Sequence, residues 1–226
     1  MSWRNGVIAI GLLVVGCGGK HEPSNLLSLF EVDRTIADGA DLDVENTYDA
    51  LTLLKWAEAS YVKGDDAAAV PEYRRFLVLH PSHPMAPLAR HRLAMSEARQ
   101  IGALDRDPAP MNTAAAAFQS VVADDPGGPY AGEARAKLAE IGHRQAEQTF
   151  NIGMFYYKKG AYRPAIARFA KTLSMPGEAA LREQAHYFLG MAYRQGGYPN
   201  EATAAFEALR AEFPNSTYIA KIAARG

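Results

Sequence analysis

Four short segments of the chain share one pattern of small, aromatic and proline residues at nearly constant spacing. In the full pattern a glycine is followed by an alanine after five residues, an aromatic residue after four more and a proline after another eight. The segments are Gly64, Ala69, Tyr73, Pro81; Gly197, Ala202, Phe206, Pro214; Gly160, Ala165, Phe169 with Pro176 one residue early; and a weaker Ala114, Phe118, Pro126. One such unit cannot bury its apolar residues alone, so the units must stack against one another.

The residue types suit two helices joined by a tight turn. Apolar residues between positions 50 and 61, and again between 202 and 213, recur every three or four residues, which is the spacing of one helix face. The glycine permits backbone angles that a Cβ disfavours, and the proline ends the second helix because it lacks an amide donor. Gly160 and Gly197 are 37 residues apart, near the roughly 34 of a tetratricopeptide unit. The sequence therefore predicts an all-α, tetratricopeptide-like α-solenoid of about four stacked helical hairpins over residues 47–226, preceded by a flexible tether.

The N-terminal residues have the features of an export signal. Arg4 precedes an apolar run, Val7–Val15, which ends at the small residue Gly16. A run of this length is well short of the roughly 20 apolar residues that span a bilayer as a helix. A charged start, a short apolar stretch and a small exit residue are typical of a secretory signal peptide, which we predict over residues 1–16.

Cys17 is the only cysteine of the chain, so it has no partner for an intramolecular disulfide. The segment Val14–Cys17 resembles a bacterial lipoprotein cleavage box, in which the thiol receives a diacylglycerol and the new amine is acylated. The sequence therefore predicts a lipid anchor on Cys17 and a lipidated tether over residues 17–46. Gly18 stands where Asp tends to retain such proteins at the inner membrane, which points to the outer membrane. The alternative is an ordinary signal peptide with an incidental cysteine.

Composition and motifs do not favour an enzyme. The chain has 24 Lys and Arg against 25 Asp and Glu, so it lacks the basic excess of a nucleic-acid-binding protein. His80 and His83 lie in a proline-rich loop without a third ligand nearby, which favours a loop over a metal site. Asp105 and Asp107 flank an arginine and are typical of a solvated turn, with acid–base chemistry as the alternative. We predict no catalytic residue, metal or cofactor; an envelope enzyme acting on peptidoglycan remains a rival hypothesis.

A predicted first helix of one hairpin carries a cluster of cations. Arg90 and Arg92 flank a histidine, and Arg99 follows in the same helical segment. Stacked repeats leave a concave face lined by first helices, where Arg90 and Arg92 could receive the terminal carboxylate of a peptide through charge-assisted hydrogen bonds. The alternative, and the more common outcome, is a solvated helix face.

Beyond the generic repeat, several linked motifs resemble those of the BamD family, the lipoproteins of the outer-membrane β-barrel assembly machinery. They are Pro81-Ser82-His83-Pro84, Asp105-Arg106-Asp107-Pro108, Pro129-Tyr130-Ala131, Tyr156-Tyr157-Lys158-Lys159-Gly160-Ala161-Tyr162 and Ala192-Tyr193-Arg194. The resemblance covers about residues 48–216 together with the cleavage box. It implies a lipid-anchored tetratricopeptide scaffold on the periplasmic face of the outer membrane, acting without covalent catalysis.

The resemblance also implies partners. In that family the C-terminal repeats dock onto the periplasmic POTRA domains of the barrel protein BamA, alongside other assembly lipoproteins. The N-terminal repeats are implicated in contacting unfolded outer-membrane proteins. An arginine eight residues after the Gly-Ala turn is important for docking in the family, and Arg168 holds that position after Gly160.

One departure from the family concerns the N-terminal end. The family usually has five repeats, whereas Leu26–Thr47 is too short for a full one, so we expect a shortened substrate-receiving end. The rival with the same anchor and repeats is a tetratricopeptide lipoprotein of another envelope system, such as a secretin pilotin or a Tol–Pal coordinator.

Overall fold

Every regular element in the described part of the chain is a helix. The computed structural model describes residues 44–102 and 107–223, and these ranges contain no β-strand. The helices are α1 (Val44–Lys63), α2 (Asp66–Leu79), α3 (Ala86–Arg99), α4 (Ala109–Asp124), α5 (Ala131–Lys158), α6 (Tyr162–Leu173), α7 (Ala179–Gln195), α8 (Pro199–Glu212) and α9 (Thr217–Ala223). Among these helices none is long and apolar enough to cross a membrane. The predicted signal peptide, 1–16, and nearly all of the predicted tether, 17–46, lie outside the described residues.

Three glycine turns join helices into hairpins. Gly64 lies between α1 and α2, Gly160 between α5 and α6, and Gly197 between α7 and α8, with φ of 76°, 73° and 84°. These angles lie in the left-handed region, which is costly for any residue with a Cβ. The weaker copy of the repeat forms α3 and α4, which are joined by residues 100–108 instead of a glycine turn. The predicted all-α, tetratricopeptide-like solenoid of about four hairpins is confirmed.

Neighbouring helices pack in chain order, as a solenoid requires. Each helix from α2 to α7 packs on the one that follows it, and the compact unit that they form begins at Tyr48. The aromatic residues of the repeat fill the space between helices: Tyr73, Phe118 and Phe169 have no exposed area and Phe206 retains 6%. Burying an aromatic side chain contributes about 2–3 kcal/mol relative to leaving it exposed. The repeat signature therefore marks the core.

Small residues on the first helices let these aromatic rings approach. An ideal Cβ built on Gly153 in α5 would lie 2.8 Å from Cε1 of Phe169, and one built on Gly190 in α7 would lie 2.3 Å from Cε1 of Phe206. Both distances are shorter than the roughly 3.5–4.0 Å of an ordinary carbon contact. Glycine is required at these two positions because the ring of the second helix occupies the place of a side chain.

Helix α5 belongs to two hairpin cores. Its 28 residues extend over roughly 42 Å. Ala134 and Ile141 in its first half pack with Phe118 of α4, whereas Phe150 in its second half packs with Phe169 of α6. One continuous helix therefore holds the second hairpin against the third.

Arginines from three helices hold the end of the preceding hairpin or the loop that follows it. The carbonyl oxygen of Pro81 accepts a hydrogen bond from Arg90 at 3.3 Å, and that of Pro126 accepts one from Arg135 at 2.7 Å. The third example is Arg182, which donates to the carbonyl oxygen of Leu173 at 2.9 Å. In all three pairs the arginine comes nine residues after the carbonyl. The recurrence ties the end of each hairpin, or the loop after it, to the helix that begins the next hairpin.

Candidate functional site

The arginines of α3 point to different sides of the helix. Arg90 forms an ion pair with Asp124 at the end of α4. Arg92 faces α1, where its Nε lies 3.6 Å from Oε1 of Glu58. Side chains two residues apart on a helix point about 200° away from each other, so Arg90 and Arg92 do not share a face. The peptide-carboxylate role predicted for Arg90 and Arg92 would have to involve two separate places.

Arg92 instead shares an aromatic partner with Arg99, because both guanidinium groups stack on the ring of Tyr61. The guanidinium carbons lie 4.4 Å and 4.0 Å from the ring centroid of Tyr61 in α1. Cations at this distance from an aromatic ring are attracted by its quadrupole. Behind this stack, the buried Tyr73 hydroxyl donates to Oε1 of Glu58 at 2.7 Å. Burial, followed by this contact with a carboxylate, raises the pKa of Tyr73, so the phenol stays protonated and holds the buried carboxylate.

The cations around this stack are paired within the protein. Nη1 of Arg99 lies 3.3 Å from Oδ1 of Asp66 at the start of α2, and Arg74 of α2 pairs with Glu97 of α3. These pairs join the second helix of the first hairpin to the first helix of the second. The cluster therefore braces two hairpins, and a ligand carboxylate would have to compete with carboxylates already in place.

A cleft of about 110 Å³ lies beside this cluster, between α3 and α5. Its lining combines four apolar residues with four charged ones: Met95, Ala98, Ile101, Ile141, Arg99, Lys137, Glu140 and Arg144. Nη2 of Arg144 donates to the carbonyl oxygen of Gly102 at 2.7 Å, and Nζ of Lys137 donates to Glu140 at 2.8 Å. The cleft offers an apolar floor with a predominantly basic rim. Such a lining suits an apolar side chain that lies next to a carboxylate.

Arg168 lies on α6, where it is half-buried against α5. Its Cβ would be 3.2 Å from an ideal Cβ built on Gly153, so the small residue of α5 makes room for the start of this side chain. Within residues 44–102 and 107–223, no hydrogen bond or ion pair engages its guanidinium. The nearby Arg163 does have a partner, because its Nε donates a hydrogen bond of 3.0 Å to the hydroxyl of Tyr198, which lies just before α8 in the next hairpin. The Arg168 charge is thus unneutralised by the described part of the chain.

A second charged cluster joins α7 to the end of α8. Arg182 donates to both carboxylate oxygens of Glu212, at 2.7 Å and 3.1 Å, and Nε2 of His186 lies 3.0 Å from Oε2. Hydrogen bonding from Arg182 lowers the pKa of Glu212, and the contact with His186 acts in the same direction. Sequence reasoning missed Arg182 and Glu212, because partners 30 residues apart leave no local signal.

The histidines considered from sequence lie among aromatic residues. The rings of His80 and His83 lie 5.8 Å and 5.5 Å from that of Phe76. His91 stacks on Tyr130 at 4.7 Å, and burial lowers its pKa. In the ranges that the structure describes, no three His, Cys, Asp or Glu side chains gather as they would around a metal ion.

Of the three candidate positions Asp105, Asp107 and Cys17, the structure describes only Asp107. Asp107 accepts a hydrogen bond from the backbone N–H of Ala109 at 2.9 Å, which places it in the turn before α4. Asp105 and the predicted lipidation site Cys17 lie outside the described residues. For the paired-carboxylate hypothesis, the structure therefore gives a contact for Asp107 and no position for Asp105.

Comparison with known proteins places this architecture in a family. A sequence model of the outer membrane lipoprotein family YfiO matches residues 46–198, from α1 to the Gly197 turn, and a tetratricopeptide repeat model matches residues 184–216. The outer membrane protein assembly factor BamD of Caulobacter vibrioides is 27% identical over 231 residues, covering 93% of this chain and 76% of the relative. BamD of Neisseria meningitidis serogroup A is 26% identical and covers 94% of this chain and 91% of the relative. Since the first model spans well over half of the sequence, the chain belongs to the outer membrane lipoprotein family YfiO, the family of the BamD assembly factors.

Proposed function

We propose that this protein is a lipid-anchored scaffold of the outer-membrane β-barrel assembly machinery, acting on the periplasmic face of the outer membrane. The family match over residues 46–198 carries the proposal, because it covers three and a half of the four described hairpins. The matched relatives are named as assembly factors and not as enzymes. The protein works by docking and peptide contact, and it needs no cofactor. Its partners are a BamA-type barrel protein, other assembly lipoproteins and unfolded outer-membrane proteins.

Arg168 is the proposed contact with the POTRA domains of a BamA-type partner. Support comes from its position eight residues after Gly160 and from a guanidinium that no described residue engages. A partner carboxylate would gain a charge-assisted hydrogen bond there. Arg168→Glu should weaken binding to purified POTRA domains by about 30-fold or more, since breaking a buried charged contact costs about 2 kcal/mol or more. Lys171→Glu, on an exposed position of the same helix, is the charge-matched control.

The cleft between α3 and α5 is the proposed contact with unfolded outer-membrane proteins. An apolar C-terminal residue would lie on the floor, and its carboxylate would meet Arg144 or Lys137 on the rim. Arg90 and Arg92, proposed from the sequence for the same role, serve as alternatives in the same assay. Charge reversal at Arg144 should reduce binding of a β-barrel C-terminal peptide more than reversal at Arg90. Equal or opposite effects would move the peptide site away from the cleft.

The lipid anchor is proposed at Cys17. Several acyl chains on one residue anchor a protein stably, whereas a single chain does not. Cys17→Ala should release the chain into the soluble periplasmic fraction. Unchanged membrane retention after fractionation without detergent would contradict the anchor.

Depletion of the protein tests the function as a whole. Outer-membrane β-barrel proteins should fall in abundance when the chain is depleted, as measured by proteomics of isolated outer membranes. Normal levels of barrel proteins would refute the assembly role. Affinity capture from solubilised membranes separates the remaining rival, because recovery of a secretin or of Tol–Pal components in place of a BamA-type protein would assign the chain to another envelope system.

A further inference from the structure

Helix α1 has an exposed face that combines cations with large apolar residues. Lys55, Trp56, Ala59, Val62 and Lys63 are all exposed, with 56% of the accessible area retained by Trp56 and 79% by Val62. At about 100° per residue these five positions span roughly a third of the helix circumference. They lie opposite the apolar stripe that α1 buries in the first hairpin. We refer to these five residues as the α1 face.

The C-terminal half of α1 places two lysines, Lys55 and Lys63, on the α1 face. Glu45 and Asp49 lie six or more residues before Lys55 in the same helix, and Glu58, the one carboxylate from residue 50 to residue 63, is buried and accepts the hydrogen bond from Tyr73. Among the described residues, no ion pair engages Lys55 or Lys63. A single exposed apolar residue is ordinary on a protein surface. Here a tryptophan and a valine lie between two lysines, and this combination suits a partner that is anionic and partly apolar.

We propose that the α1 face docks on the surface of an anionic phospholipid bilayer. Tryptophan is favoured at the level of the lipid headgroups, because its ring is apolar and its N–H is polar. Lysines extend their charged ends toward the headgroups while their apolar stems lie along the surface. Positive residues near an anionic bilayer are attracted to it over about a Debye length. The four side chains of Lys55, Trp56, Val62 and Lys63 match these three requirements on one helix face.

The position of α1 in the chain brings this face within reach of a membrane. Val44, where α1 begins, comes 27 residues after Cys17, so the two are separated by at most about 95 Å of chain. The inference rests on the proposed function in one respect only, which is that a lipid anchor at Cys17 keeps α1 near the membrane. A lipid anchor raises the local concentration of the face at the bilayer, so weak contacts suffice to orient the first hairpin.

Trp56 itself reports on the contact. The chain contains two tryptophans, Trp3 and Trp56, so a chain that starts at Cys17 contains only Trp56. With Cys17→Ser, this chain carries no acyl group. Vesicles of phosphatidylcholine with phosphatidylglycerol should shift the emission of Trp56 to shorter wavelength and reduce the quenching of its fluorescence by acrylamide. Vesicles of phosphatidylcholine alone, or high salt, should abolish the shift, because the attraction of the lysines is screened.

Matched variants separate this face from general basic charge. Lys55→Gln with Lys63→Gln should lower the vesicle partition coefficient by about 25-fold, or about fivefold for each lysine near an anionic surface. Lys158→Gln with Lys159→Gln makes the same change in charge at two exposed residues at the end of α5. This control should change partitioning less than about twofold. All four lysines are exposed, and circular dichroism of each variant checks that it folds.

Three results would overturn the proposal. The first is an unchanged Trp56 emission with anionic vesicles, and the second is an equal loss in the control pair. The third is a shift caused by raising the protein concentration or by adding POTRA domains without vesicles, which assigns the face to a second copy or to a protein partner. Because the chain in this assay is unacylated, failure leaves the Cys17 anchor intact. Loss of the anchor in cell fractionation, conversely, leaves the vesicle result standing.

Discussion

The approach of Phe206 to Gly190 makes a quantitative prediction for the fourth hairpin. An ideal Cβ on Gly190 would lie 2.3 Å from Cε1, 2.5 Å from Cδ1 and 2.8 Å from Cζ of the ring. Ordinary carbon contacts are about 3.5–4.0 Å, so the ring would have to retreat by roughly 1 Å in a buried site. Overpacking of this kind costs about 1–3 kcal/mol, against about 0.5–1 kcal/mol that alanine regains over glycine in a helix. Gly190→Ala should therefore lower the free energy of unfolding by about 0.5–2 kcal/mol.

Gly132→Ala is the matched control within the same protein. Gly132 also lies in a helix, α5, but an ideal Cβ there meets no atom within 4 Å apart from the neighbouring backbone of its own helix. Only the helix preference of alanine operates, so this substitution should raise the free energy of unfolding by up to about 1 kcal/mol. Urea unfolding of the chain from Cys17, followed by far-UV circular dichroism, measures both variants against the native sequence.

A third variant tests the stated cause. If the methyl group of Gly190→Ala clashes with the ring of Phe206, then Phe206→Leu should absorb part of the cost. The double variant should be more stable than the sum of the two single effects predicts, by about 0.5 kcal/mol or more. The reasoning is refuted if Gly190→Ala is as stable as the native chain, or if the two substitutions are additive.

Three further substitutions test other contacts by urea unfolding. Burial holds the pKa of His91 below its ordinary value, so the native chain should lose stability as the pH falls below about 7. His91→Phe keeps an aromatic ring but cannot titrate, so this variant should lose less stability over the same pH range. Equal pH profiles for the two proteins would contradict this reasoning. Tyr73→Phe removes the hydroxyl that donates to the buried Glu58 and should cost about 1.5–3 kcal/mol, and a cost near zero would mean that the bond is not formed. Arg135→Ala frees the carbonyl oxygen of Pro126 at an exposed site and should cost about 0.5–1.5 kcal/mol, with no loss of helix content.

The repeat residues made the hairpins predictable because their roles are local. A turn needs positive φ within two or three residues of a helix end, and only glycine takes that angle readily. Gly64, Gly160 and Gly197 occupy those turns. The second hairpin is joined by residues 100–108, where no described residue has a positive φ, so the weaker spacing of Ala114 and Phe118 marked only its second helix. The continuity of α5 across two cores could not be read from the repeat, which marks turns and not the absence of a break.

The charged clusters were predicted less well, because their partners are distant in sequence. Arg90 and Arg92 are two positions apart, yet one pairs with α4 and the other with α1. Nη2 of Arg144 reaches a carbonyl oxygen 42 residues earlier, and Arg182 reaches a carboxylate 30 residues later. Such pairs depend on how far each helix is rotated when hairpins stack. The exposure of Trp56 and Val62 likewise needed the structure, because both are apolar and the sequence alone does not show that no other helix covers them.

The sequence by itself determined the helical hairpins and the family, because turn glycines, crossing residues and linked motifs act over short stretches of chain. Only the tertiary structure decided which charges neutralise one another and which stay available. That outcome depends on the rotation and stacking of whole helices, which sets distances between side chains far apart in sequence. It places Arg92 and Arg99 against the ring of Tyr61 and leaves Arg168 and Lys55 without an ion pair in the described part of the chain.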